Sequence, residues 1–187
     1  MATRMSGEAR REQLLDATKE IVLGEGFHGV SIEAVARAAG ITRPIVYAHF
    51  ADLGTLLDAL VARESRRALE QLEAALPDDL AGDLVATLRA YLAAVGADPG
   101  TWRLVLMPQQ GAPRGLHERI AAGRTAIVAR LAAGLRPQAG PPDPELTAHM
   151  LSAYADEAAR LTLTDPEHYP VERILALTRW ALERLGR

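Results

Sequence analysis

A chain of 187 residues, 49% hydrophobic and 24% charged, has enough apolar side chains for one large domain or two small ones. Its formal net charge of −3 excludes a disordered polyelectrolyte. The lack of cysteine excludes disulfides, thiolate zinc sites, iron–sulfur clusters and cysteine nucleophiles. No apolar run approaches the roughly 18–20 residues that span a bilayer. The opening MATRMSGEARREQLL has no secretory apolar core, so the expected compartment is the cytoplasm, with no membrane partner.

Helical periodicity runs along the chain and no alternating strand pattern appears. Over 8–23, Leu14, Leu15, Thr18, Ile21 and Val22 share one face, and Gly24 and Gly26 stop that helix before Phe27. Ser31 reads as the N-cap of a short helix over 32–39, with Val35 and Ala36 facing inward and Gly40 as its left-handed end. Thr42 is expected to cap the next helix, 43–49, where Pro44 is tolerated in the first turn. Asp52 is expected to cap a long helix over 52–76, striped by Leu56, Leu57, Leu60, Val61, Ala68, Leu69, Leu72 and Leu76 and ended by Pro77. At about 1.5 Å per residue that helix reaches on the order of 37 Å, enough to bridge two domains. Helices over 78–95, 101–107 and 116–135 follow, then a proline-rich loop over 137–144 and two last helices over 144–163 and 170–185. The expected fold is all-α with about nine helices: an N-terminal three-helix domain over 1–52, the bridging helix 52–76, and a C-terminal helical bundle over 77–187.

The stretch SIEAVARAAGITRPIVYAHF, 31–50, reads as helix, glycine turn, second helix, with Ile32, Val35, Ala36, Ile41, Val46 and Phe50 sharing a small core. That is a helix-turn-helix unit. Its second helix is too short to be stable alone, so it makes sense displayed on a scaffold. Its outward positions are Arg43, Pro44, Ile45, Tyr47, Ala48 and His49. Arg43 suits a forked pair of hydrogen bonds to guanine O6 and N7. Pro44, Ile45 and Ala48 suit thymine methyls, Tyr47 and His49 can donate to phosphate oxygens, and Ser31 and Thr42 place hydroxyls where a phosphate can sit. Bulk charge does not argue for nucleic acid: Met1 to Arg67 carries nine basic and nine acidic residues, and the sequence pI is near 6.0.

On these residues the first 70 or so positions resemble the N-terminal domain of the TetR family of bacterial transcriptional regulators. The resemblance runs through the first helix ending in GEGFHGVS, through IEAVARAAGITRPIVYAHF, and into DLGTLLDAL; Gly40, Ile41, Val46, Tyr47, His49 and Phe50 match its spacing. It implies DNA contacts by Thr42, Arg43, Pro44, Ile45, Tyr47 and His49. It also implies a C-terminal bundle that holds a small-molecule effector and a homodimer built from the last two long helices. The family usually has a phosphate-binding lysine shortly after the phenylalanine; this chain has Ala51, Asp52, Leu53 and Gly54. Arg10, Arg11 and Arg4 are candidates to compensate.

The C-terminal half supports a dimer independently of the resemblance. Val171, Ile174, Leu175, Leu177, Thr178, Trp180, Ala181, Leu182 and Leu185 cover more than one face of the last helix, which calls for burial on two sides. Ligand-site candidates are Tyr91, Trp102, Met107, Gln109, Gln110, Met150, Tyr154 and Glu157, an apolar wall with a few polar anchors. For Glu157 a salt bridge to Arg160 or Arg179 is the plainer reading, and Trp102 and Met107 are as readily core. Gly111, Pro113 and Gly115 suggest a gate. Enzyme chemistry finds no pattern: the five histidines are scattered, no serine lies in a G-x-S-x-G elbow, and no cofactor is called for. The expected function is a ligand-responsive repressor that binds a palindromic DNA operator as a homodimer. The alternative is a helical ligand-binding or scaffold protein that no longer binds DNA.

Overall fold

The computed structural model describes residues 5–107, 111–135 and 142–185. Among them are nine α-helices and one 3-10 turn, and no strand. The helices are α1 (Gly7–Glu25), α2 (Ile32–Ala38), α3 (Arg43–Tyr47), α4 (Leu53–Ala75), α5 (Leu84–Ala97), α6 (Pro99–Leu106), α7 (Arg114–Gly134), α8 (Pro144–Thr164) and α9 (Val171–Leu185). Side-chain caps fix many of their starts. Ser6, Ser31, Asp83, Asp98 and Asp143 each accept a backbone N–H three residues on. The fold is all-α, as the periodicity requires.

The chain forms two compact units. The first runs through Arg66 and takes in the stretch ending at Arg119; the second contains 67–107 and the residues from Ile120 onward. The chain passes from one to the other inside α4 and again inside α7. The first unit thus reaches past residue 52, because Leu56 and Leu60 of α4 are completely buried and Leu116 of α7 nearly so.

The first unit also buries charge. Arg63 and Glu64 of α4 have side chains 3% and 1% exposed. Arg63 Nε donates to Glu64 Oε1 at 2.8 Å, while its Nη1 lies 3.0 Å from Glu12 Oε2 and 2.8 Å from Asp16 Oδ1 on α1. Lys19 Nζ closes the network on Glu64 Oε2 at 2.8 Å. Desolvation works against the Arg63 charge, but Glu64, Glu12 and Asp16 outweigh it and hold the guanidinium above its ordinary pKa. Sequence periodicity gives no sign of this tie between α1 and α4.

In the second unit, Leu88, Tyr91, Leu92, Val95, Trp102, Leu163 and Leu175 belong to one core, and Leu80 packs with Val128, Leu131, Ala132 and Ala148 in another. Tyr91 and Trp102 meet edge to face, with ring centroids 5.5 Å apart. Gly134 permits a close approach: a Cβ there would lie 2.8 Å from the Ala81 Cβ.

Several helix boundaries, α7 opening at Arg114 rather than 116 among them, and one burial differ from the sequence reading. The helix expected over 78–95 starts at Leu84, because Asp79 Oδ1 accepts from the N–H groups of Ala81 and Gly82 and holds a turn before Asp83 caps α5. The recognition helix ends at Tyr47, two residues short of 49. α6 opens at Pro99, two residues before 101, because Asp98 supplies its cap. Leu69, placed in the apolar stripe of α4, is exposed.

Candidate functional site

The best-defined surface is α2–turn–α3. Ser31 Oγ caps α2 by accepting from Ala34 N at 3.1 Å, which leaves the hydroxyl proton unused by the cap. Gly40 adopts φ +66°, the left-handed geometry that lets the chain turn sharply after α2. The N–H of Ile41 then returns to the Ala36 carbonyl at 2.9 Å. Ile32, Val35, Ala36, Val46 and Phe50 are buried, and Ile41 is half-buried. One side of α3 is thereby fixed to the unit, and the opposite side is displayed.

The sequence-derived contacts fall on that displayed side. Thr42, Arg43, Pro44, Ile45, Tyr47 and Ala48 are exposed, with Tyr47 at 53% and Val46 between them at 0%. Thr42 is the N-cap residue by position, but its side chain makes no capping bond. His49 is half-buried beside the start of α1, 3.9 Å from where a Gly7 Cβ would stand, and Ser31 is half-buried as well, so these two are less displayed than the rest of the set. Arg43 Nη1 lies 2.6 Å from Glu33 Oε1. Each partner stabilises the other's charge: the hydrogen bond from Arg43 holds the Glu33 carboxyl below its ordinary pKa, and Glu33 holds the guanidinium above its own.

The cations proposed to replace the missing lysine are engaged within the unit. Arg11 stacks over the Phe50 ring at 4.4 Å and its Nη1 approaches the His49 carbonyl at 3.4 Å. Arg10 Nη1 donates to Gln13 Oε1 at 2.6 Å. Arg4 lies outside the described residues. Asp52, near the family's lysine position, accepts from Thr55 N at 2.7 Å and opens α4.

The ligand-site candidates do not share one lining. Tyr91 is buried and its hydroxyl donates to Asp156 Oδ1 at 3.2 Å, while Arg124 pairs with Asp156 Oδ2. Burial first, and then the Asp156 carboxylate, push the Tyr91 phenol well above its ordinary pKa. Trp102 is core: its Nε1–H donates to Gln71 Oε1 at 2.8 Å. Met107 and Met150 are exposed. Gln109 and Gln110 lie outside the described residues.

Tyr154 and Glu157 do come together, in a groove of about 340 Å³ between α8 and α9 that Leu161, Tyr169, Arg173 and Leu177 also line. Glu157 is exposed and paired with Arg160 at 2.9 Å, whereas Arg179 lies 4.0 Å from Glu172. The carboxylate tied into the bundle is thus its neighbour Asp156, which periodicity alone does not pick out. Gly115, one of the residues read as a gate, lies inside α7.

Around this groove α8 and α9 leave large apolar side chains in solvent. Leu146 is 58% exposed, Met150 65%, Leu177 55% and Trp180 55%. Among the described residues no helix is long and apolar enough to cross a membrane, and no group of three or more His, Cys, Asp or Glu side chains could hold a metal ion.

Comparison with known proteins places residues 14–60 on the family model described as "Bacterial regulatory proteins, tetR family". The HTH-type transcriptional activator FasR of Mycolicibacterium smegmatis is 28% identical over 104 residues, which cover 54% of this chain and 48% of FasR. The aligned part thus spans about half the length of that relative. A TetR-like transcriptional regulator from Rhodococcus sp. RHA1 shares the fold at a TM-score of 0.76 and 23% identity, covering 96% of this chain and 99% of that one. SmeT, the repressor of the Stenotrophomonas maltophilia multidrug efflux pump SmeDEF, superposes in its triclosan complex at a TM-score of 0.69 and 26% identity, over 92% and 91% of the two chains.

Proposed function

We propose that the chain, which matches the tetR family model through residues 14–60, is a cytoplasmic TetR-family repressor binding a palindromic operator as a homodimer. The observation that carries this is the two-sided character of α3. Val46 is completely buried while Thr42, Arg43, Pro44, Ile45 and Tyr47 are all displayed. A short helix anchored on one side and bearing an arginine, a tyrosine and small apolar groups on the other suits the major groove. Ser31 and His49 complete the contact set at its rim.

In this reading 1–52 binds the operator, the helix over 52–76 bridges, and 77–187 binds an effector and dimerises. The dimer face is the apolar surface of α8 and α9 bearing Leu146, Met150, Leu177 and Trp180, too large a set of exposed side chains for a lone subunit. Two copies present two recognition helices to half-sites about 34 Å apart or a multiple of that. A small-molecule effector enters the second unit, where Tyr91 and Asp156 are among the polar groups of a largely apolar interior; SmeT in its triclosan complex is a protein of similar fold with a small ligand. The effector acts only through its differential affinity for two arrangements of the dimer, typically about 1–3 kcal/mol of coupling, carried along α4.

An electrophoretic mobility shift with DNA from upstream of the chain's own gene, against excess random-sequence competitor, tests the proposal. Retention of a discrete complex supports it. Binding to no duplex favours the helical ligand-binding or scaffold alternative, to which the Glu33–Arg43 pair and the lack of a lysine after Phe50 lend weight.

A further inference from the structure

Arg43 is the one basic side chain in α3, and among the described residues its ion pair is with Glu33. Glu33, in the first turn of α2, takes its Nη1 at 2.6 Å, and both side chains are mostly in solvent, at 62% and 59% exposure. An exposed pair of this kind adds little to folding stability, so what it does for the fold does not explain it. The frame that presents it is rigid. Val35, Ala36 and Val46 are buried together, and the Ile41 N–H bonds to the Ala36 carbonyl. The α2 backbone that carries Glu33 is therefore held close to α3, with the carboxylate within reach of Arg43.

A guanidinium carries five donors in a planar fork. With Nη1 held by Glu33, the Nε and Nη2 donors still form a parallel pair that matches guanine O6 and N7. Resting on the operator-binding reading above, we propose that Glu33 is a positioning residue for sequence specificity. Its carboxylate restrains the Arg43 guanidinium so that the Nε–Nη2 edge reads guanine. Glu33 also sets a negative charge near the phosphates and lowers affinity for DNA of any sequence. The two effects are separable, because Glu33→Gln keeps an accepting oxygen and loses the charge, whereas Glu33→Ala loses both.

The test uses the full chain and a pool of randomised duplexes. The most enriched duplex and its single-base-pair variants are then titrated at several salt concentrations with the parent, Arg43→Ala, Glu33→Gln and Glu33→Ala. The parent is expected to prefer guanine at one step of each half-site, and Arg43→Ala to lose that preference by about tenfold to a hundredfold. Glu33→Ala should lose several-fold at that same step alone, and Glu33→Gln should retain it. Both Glu33 variants should bind the unselected pool a few-fold more tightly than the parent. Glu33→Ala with the parent's guanine preference, or with preference lost evenly at every step, overturns the assignment while leaving operator binding in place. A parent that enriches no sequence removes the operator-binding reading, and this inference with it.

Discussion

The two units dispose of polarity in opposite ways. The first buries Arg63, Glu64 and Lys19, pairs Arg63 also with the more exposed Glu12 and Asp16, and displays polar and apolar groups on α3. The second keeps leucines, a methionine and a tryptophan of α8 and α9 in solvent and ties the buried Tyr91 to Asp156, which the exposed Arg124 also engages. Large apolar groups in water imply a partner that shields them, whereas charges taken out of water must satisfy one another where they are. The first unit therefore satisfies its buried charges within itself and, in the proposed reading, presents α3 to DNA. The second, in the proposed reading, is completed by a second copy of the chain.

The largest effect expected from this contrast lies in the ionic network. Glu64→Ala removes the carboxylate that Lys19 and Arg63 share and leaves Arg63 its pairs with Glu12 and Asp16, and breaking a buried pair by removing one partner costs up to about 3–5 kcal/mol. Urea unfolding followed by circular dichroism should show that loss; a shift smaller than about 1 kcal/mol would mean that water reaches the network. Next is Trp180→Asp, which should leave folding of the chain largely intact and weaken self-association by about thirtyfold or more. Sedimentation equilibrium should then show monomers at concentrations where the parent is dimeric, and an unchanged dimer would place the interface elsewhere.

The smallest expected effect concerns the start of α4. Hydrogen bonds from Thr55, first the backbone N–H, hold the Asp52 carboxyl below its ordinary pKa. A folded-state value below the unfolded one stabilises the cap at and above the usual carboxylate range, and the gain fades as pH falls through the lowered value. Amide exchange at Thr55 should be protected at neutral pH and lose protection on acidification, while Asp52→Asn should flatten that dependence. Equal pH dependence in both proteins would show that the carboxylate is not the cap.

How legible each region was in the sequence follows the same contrast. Gly40, Ser31 and the spacing of Val35, Val46 and Phe50 specify the helix-turn-helix locally, within twenty residues, and periodicity reads local order well. The side chains proposed to meet DNA were legible because they are what is left once those core positions are filled. The Arg63–Glu64 tie was not legible, since adjacent charges on a long helix look like solvated surface and their partners lie some fifty residues away on α1. The same holds for Tyr91 and Asp156, joined across 65 positions. The true start of α5 was obscured because Asp79 and Asp83 are both plausible caps, and only the turn held by Asp79 Oδ1 makes Asp83 the cap in use. The pairing of Arg43 with Glu33 spans a turn, and a helical wheel of either helix alone cannot show it.

In the proposed reading the displayed side of α3 reads duplex DNA. Fluorescence anisotropy with the parent, Arg43→Ala and Tyr47→Ala on a duplex from upstream of the chain's own gene, over a series of salt concentrations, tests it most directly. Arg43→Ala should reduce discrimination against random DNA by about 1–3 kcal/mol at every salt concentration, and Tyr47→Ala should weaken binding to both duplexes alike. Variants that bind both duplexes as the parent does would contradict the claim.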